Sequence, residues 1–402
     1  MPYTLSLPPL HDHHSHVSLY AALEGQPDLY DLAAPEASRL LRSLPADRLN
    51  LVKGWKTHVV PLSRDFLAGL PPVLIVNATL HGFAYSPAAV PLIRNLWPEF
   101  AARIDDKAWG ERHLPDLFAF YGQIAGLDAG KLASFMEKVG RLGIGSIEDM
   151  SVSGAEAIAA VRASPWASRV SFWATPRVYK GLAPAERTAC AGFKIFLDGS
   201  LGARSAGLDV PFLDGTEGYL LYSDEELESL LGELAEYRTA LSVHAIGHRA
   251  VDQILRVLGK VEGSGRSFPM VRLEHVQYIR EDPARRARDR GYVLSMQPNF
   301  SADSIDFSDR LPPRLLRENN PFRMLIDRVG YVPGRDLVFG SDGMPHGIEN
   351  ALQWSLFPAF EEQRMTADEL LRGYGRTEAG TGTPSTTLVI DEERRTVRLL
   401  GG

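Results

Sequence analysis

A single cysteine, Cys190, occurs among the 402 residues. No disulfide can therefore form within the chain, and a reducing cytoplasm is the expected compartment. No apolar run approaches the roughly 20 residues that a membrane-spanning helix needs. The amino end also lacks a basic segment followed by an apolar one, so no targeting leader is expected. Lys and Arg number 43 against 50 Asp and Glu, for a net charge of −7, and the cations form no long block. Together with the lack of any nucleic-acid-binding motif, this excludes nucleic acid and membrane as expected partners.

What is present is an apolar fraction of 45%, enough for a large core. Short runs rich in Val, Ile, Leu or Phe lie at 143–150, 169–176, 191–199, 240–247, 270–279, 291–298 and 336–343. Helical patterns separate most of them, as at 223–238, 248–262 and 348–362. Ser223 stands as an N-cap before the first of these helices, followed by acids in the first turn. Strand–helix alternation of this kind predicts a parallel sheet covered by helices. With the segment around residues 10–17 the strands number eight, the count of a closed (β/α)8 TIM-like barrel; an open doubly wound sheet is the competing architecture. The expected division has strand one within 1–16, a long insertion or subdomain over the barrel mouth at 17–140, and the remaining barrel at 141–374. A tail at 375–402 ends in two short strands. One further strand, 71–80, falls inside the insertion.

The stretch LHDHHSHV places four of the chain's eleven histidines, His11, His13, His14 and His16, within six positions. On an extended strand His14 and His16 face the same way and can grip one ion together. His11 and His13 face oppositely and are expected to pack or to support. Other strand ends supply Lys194, His244, His275 and Asp342. Imidazole and carboxylate suit Zn²⁺ and related divalent ions, with Fe, Mn and Ni open. Four histidines and one aspartate fill most of two adjacent sites. The missing bridging anion is available if Lys194, desolvated and neutral, reacts with CO₂ to form a carbamate. Singly, each residue has an ordinary explanation: a satisfied core histidine, a snorkelling lysine, a capping aspartate. Packing needs alone do not place all of them at successive strand ends.

These residues resemble the amidohydrolase superfamily, and within it the N-substituted formamide deformylase (YtcJ-like) branch. The family's Asp-x-His-x-His matches Asp12, His14 and His16, and its Lys-x-x-x-Asp-Gly-Ser-Leu-Gly matches KIFLDGSLG from Lys194. HAIG, EHVQ and GSD match at His244, His275 and Asp342. VNATLHGFAYSPAAV is similar to a substrate-side stretch whose histidine is His81. The resemblance implies a distorted barrel and metal ligands His14, His16, carboxylated Lys194, His244, His275 and Asp342. It also implies hydrolysis of an amide or related non-peptide C–N bond in a small-molecule substrate. Family members carry a β-sandwich built from both chain ends; here a reduced or vestigial one is expected, which leaves oligomer contacts, a homo-oligomer among them, open. His248 stands where the family has Asp, and Phe300 where it has His.

The expected mechanism uses one or two divalent ions, zinc foremost. His14 and His16 with Asp342 hold the first ion, His244 and His275 the second, and the carbamate of Lys194 bridges them. Asp342 moves the proton from nucleophile to leaving nitrogen. His81 hydrogen-bonds the oxyanion or substrate, Arg204 pairs with an acidic substrate, and Asp198 and Gln277 lie on the substrate side. One alternative keeps the metals but cleaves an ester, lactone, cyclic amidine or phosphoester. Another is a non-catalytic, metal-stabilised scaffold.

Overall fold

The structure, a computed structural model, describes residues 2–56, 59–77, 80–375 and 385–400. It falls into two compact units, Met1–Val17 with Ala133–Gly402, and Ser18–Leu132.

The larger unit is built on eight parallel strands: β1 (Leu10–Ser15), β2 (Ile144–Asp149), β3 (Val170–Ala174), β4 (Cys190–Phe196), β5 (Ala240–Ala245), β6 (Val271–His275), β7 (Val293–Met296) and β8 (Leu337–Phe339). Each pairs with its sequence neighbour in one eight-stranded sheet. The strands read as near-continuous apolar runs because helices cover their outer face. The helix His248–Gly263, for example, buries Val251, Ile254, Leu255, Leu258 and Val261, each worth about 1.5–3 kcal/mol relative to exposure. The expected TIM-like α/β barrel is the fold found.

Between β8 and β1 the sheet is closed by a side chain. Asp12 Oδ1 accepts from the amides of His14 (3.0 Å) and Ser341 (2.9 Å), and Oδ2 accepts from Ser341 Oγ (2.6 Å). The Asp342 amide donates to the His14 carbonyl at 2.7 Å. Gly340 permits this approach, since a Cβ there would lie 2.3 Å from the His14 nitrogen.

Several segments end earlier than their patterns predict, two of them for a plain backbone reason. The helix expected at 348–362 spans Ile348–Leu356, because Phe357 precedes Pro358 and the proline ring pushes it out of the helical region. The strand expected at 270–279 stops at His275, where φ turns to 68°. The chain ends form their own antiparallel sheet: Tyr3–Leu7 pairs with Thr386–Asp391, which pairs with Thr396–Leu399. The helix Ile348–Leu356 holds it, Gln353 Oε1 accepting from the Val397 amide at 2.7 Å and Glu349 Oε2 from the Leu399 amide at 3.0 Å. The Gly/Thr/Ser-rich stretch 376–384 lies outside the described residues.

The smaller unit has a three-stranded sheet in which Asn50–Trp55 runs parallel to Val73–Asn77 and Phe83–Tyr85 antiparallel to it. Leu29, Leu41, Val52, Val73 and Ile75 form its core. Only the middle strand corresponds to the expected 71–80, whose residues 78 and 79 lie outside the described residues.

Candidate metal centre

Successive residues on a strand point to opposite faces. On β6, Arg272 and Glu274 share the inward face, so His275 should point away. The backbone prevents this: His275 and Val276 adopt φ of 68° and 39° as β6 ends. Asp342, just beyond β8, has φ 55°. A non-glycine residue in the left-handed region costs about 1–3 kcal/mol and tends to persist where function requires it. These two residues are the ones whose donor atoms meet His14. His14, His275 and Asp342 each offer a ligand atom, all within 4.8 Å of one another.

Hydrogen bonds fix which ring nitrogen faces the cluster. His14 Nδ1 donates to Glu274 Oε2 at 2.6 Å and His275 Nδ1 donates to Gln297 Oε1 at 2.7 Å. Both tautomers therefore carry their lone pair on Nε2, as a metal-binding imidazole held through its other ring N–H requires. His244 Nε2 donates to the Gly199 carbonyl at 3.1 Å, which places its lone pair on Nδ1. Its ring centroid is 4.5 Å from that of His275. His16 Nε2 lies 3.4 Å and His14 Nε2 3.6 Å from Asp342 Oδ1. Phe300 lies parallel to the His275 ring, 6.1 Å between centroids.

The electrostatics suit a cation. Burial, then the charge of Lys194, lowers the His14 pKa to about 4, and burial with neighbouring His244 holds His275 far below its ordinary value. Both rings are thus neutral donors at pH 7. Burial alone would raise Asp342, but His14, His16 and Lys194 outweigh it and bring the carboxyl down to about 2. Lys194 is fully buried, and its Nζ has no hydrogen-bond partner among the described residues. Desolvation lowers its pKa to about 8, so about a tenth of the amine is neutral at pH 7, against well below 0.1% at the ordinary value. Two neutral imidazoles, one ionised carboxylate and an orphaned buried amine fit a divalent ion.

The remaining expected residues are engaged as follows. Asp198 accepts from the amides of Gly207 (2.8 Å), Ile246 (3.0 Å) and Gly247 (2.8 Å), tying the loop after β4 to the end of β5. Gln277 Nε2 donates to Asp303 Oδ2 and Asn319 Oδ1. Arg204 Nε lies 3.1 Å from Asp214 Oδ2. His81, in the smaller unit, donates from Nδ1 to Glu111 Oε2 at 2.9 Å. His248 lies 3.3 Å from Asp209 and 3.4 Å from Glu318.

Sequence reasoning missed the charged pair beneath the site. Arg272 Nε donates to Glu274 Oε1 at 2.5 Å, and its Nη1 donates to Glu148 Oε2 at 2.9 Å. Ser242 Oγ also donates to Glu274 Oε1. The available signal was two charges at i and i+2 in an apolar strand, which are buried only when paired.

Residues 125–350 match the profile of the amidohydrolase family. A stretch of 139 residues is 32% identical to the YtcJ protein of Bacillus subtilis (strain 168), an amidohydrolase by name, and covers 34% of this chain and 26% of that one. A stretch of 133 residues is 30% identical to protein LONG AFTER FAR-RED 3 of Arabidopsis thaliana, covering 32% and 23%. The matches thus span about a quarter of the length of these relatives. The fold is shared with a metal-dependent hydrolase from Pyrococcus horikoshii OT3 (TM-score 0.62, 24% identity, 88% of this chain and 74% of that one). It is also shared with one from Pyrococcus furiosus (TM-score 0.65, 20% identity, 93% and 81%). The profile match covers more than half of the sequence, and the chain belongs to the amidohydrolase family.

Proposed function

We propose that the chain is a metal-dependent hydrolase that cleaves a non-peptide C–N bond of amide type in a small molecule. The observation that carries this reading is the convergence of the His14, His275 and Asp342 donor atoms within 4.8 Å, drawn from opposite ends of the sequence. His14, His16, His244, His275 and Asp342 would hold the ions, zinc by the chemistry of the donors. Lys194, as its carbamate, would add a bridging carboxylate. A divalent ion held there acidifies water and polarises a substrate carbonyl.

The chain's own residues supply the rest. Glu274, Gln297 and the Gly199 carbonyl hold the imidazoles in the tautomers that direct lone pairs to the cluster. Asp342, ionised at neutral pH, enters as proton acceptor and hands the proton to the leaving nitrogen. Phe300 gives the site an apolar wall beside His275. His81 is assigned to the substrate or its oxyanion, Arg204 to an acidic substituent, and Asp198 and Gln277 to the substrate side. The lone cysteine suits a cytoplasmic setting.

The test is a substrate panel of N-formyl amines, linear and cyclic amides, esters, lactones and phosphoesters, assayed with zinc-loaded and chelator-treated protein. Zinc-dependent turnover of amide-type substrates is expected. Turnover confined to esters, lactones or phosphoesters would overturn the bond class, and no metal-dependent turnover of any class would overturn the activity.

A further inference from the structure

Toward the N-terminal end of β1, on the same inward side as Glu148 and Arg272, lies a second convergence that the reaction does not use. His11 Nε2 lies 3.1 Å and His13 Nδ1 3.0 Å from the same oxygen, Oε1 of Glu148 on β2. The two rings meet edge to face with centroids 4.3 Å apart, and all three donor atoms lie within 4.8 Å of one another. We propose that His11, His13 and Glu148 form an accessory site for a divalent transition-metal ion, separate from the His14–His275–Asp342 cluster.

The chemistry of the three groups is that of a two-histidine, one-carboxylate face, which takes Zn²⁺, Co²⁺, Ni²⁺ or Cu²⁺ and leaves positions for water. Tetrahedral bonds of about 2.0–2.1 Å put neighbouring ligand atoms about 3.3 Å apart. The two N–O edges need only open by a few tenths of an ångström. In the metal-free arrangement each imidazole turns an N–H toward Glu148. On binding, each ring keeps one proton but carries it on its other nitrogen, so no proton is lost. For His11 that nitrogen is Nδ1, already 2.6 Å from Ser146 Oγ, which can accept it. Glu148 is held from its far oxygen by Trp173 Nε1 (2.5 Å) and Arg272 Nη1 (2.9 Å), so Oε1 is aimed at the two rings whether or not an ion is present. The Arg272 charge opposes a cation here, but two carboxylates, Glu148 and Glu274, share it. The side chains of His11 and His13 remain 25% and 21% exposed, which gives an ion a way in.

The experiment compares the full chain with the double variant H11N/H13N. Both are stripped with chelator, reloaded with Zn²⁺, desalted and analysed for metal per chain by mass spectrometry. The variant is expected to hold one equivalent less than wild type, while a H14A/H275A variant retains that equivalent. Equal metal content in wild type and folded H11N/H13N overturns the accessory site, whatever the content of the other cluster. If circular dichroism shows H11N/H13N unfolded, His11→Gln alone replaces it. Chelator competition should then find one Zn²⁺ weakened at least tenfold, and unchanged affinity at every site overturns the proposal.

Discussion

His13 and His14 are neighbours on β1, yet they live in different surroundings. The His14 side chain is 1% exposed, with Nδ1 on Glu274 and Nε2 facing Asp342. The His13 side chain keeps 21% of its exposure and meets Glu148. The residue type is the same in both places, as is the strand. What separates them is which backbone comes to meet them. The His14 side receives His275 and Asp342, two residues held in the left-handed region; the His13 side receives a regular strand residue, Glu148 of β2. An imidazole pair on one strand is therefore only half of a site, and the chemistry is decided by what the rest of the barrel presents at each level of the strand. Arg272 joins the two clusters, with one nitrogen on each carboxylate.

The contrast can be broken most severely at Asp342. Asp342→Asn should lower kcat by about 10³-fold or more, within the range of a lost proton-transfer group and metal donor. Circular dichroism should be unchanged. Activity within tenfold of wild type would remove Asp342 from the reaction. The next largest effect is expected at the shared cation. Arg272→Met leaves Glu148 and Glu274 buried without their counter-charge and should cost about 3–5 kcal/mol in denaturant unfolding. A loss below 1 kcal/mol would mean that the two clusters are not joined through this residue.

Gln297→Leu acts on the buried cluster alone. It removes the acceptor that sets the His275 tautomer, and zinc affinity of the buried cluster should fall about 10–100-fold. Ser146→Ala does the converse, touching only His11, and should change stability by about 1 kcal/mol or less with hydrolysis untouched. The pH dependence of metal loading tests Lys194. Only the neutral amine takes up CO₂, so at fixed dissolved CO₂ carbamate formation should rise with pH through the lowered pKa of about 8. A carbonyl carbon signal from ¹³C-bicarbonate that does not increase over this range would contradict the assignment.

Much of the barrel was readable because parallel strands buried on both faces are written as apolar runs with punctuation, and all eight begin within a few residues of where those runs lie. The strand Tyr3–Leu7 was hidden: LSLPPL reads as a proline-bearing stretch, and its partner lies almost the whole chain away. Asn50–Trp55 and Phe83–Tyr85 were hidden too, the first interrupted by Lys53 and Gly54 and the second only three residues long.

In the metal cluster, residue types were legible but directions were not. Strict alternation would set His14 opposite to the inward His11 and His13; it turns inward where β1 shifts register between Asp12 and Ser15, and His275 reaches the site only because the strand breaks at φ 68°, neither of which an alternation pattern encodes. Glu274 was in view beside His275, but its function as the hydrogen-bond acceptor of His14 depends on a residue 260 positions away. Long-range pairing of this kind exists only once the sheet has closed.

Central to the proposed activity is one ion bound in common by His14, His275 and Asp342. Anomalous diffraction at the zinc edge from crystals of the reloaded chain tests it most directly. The predicted result is a peak within bonding distance of His14 Nε2, His275 Nε2 and an Asp342 carboxylate oxygen. A fully loaded crystal with no peak among these three atoms would contradict it.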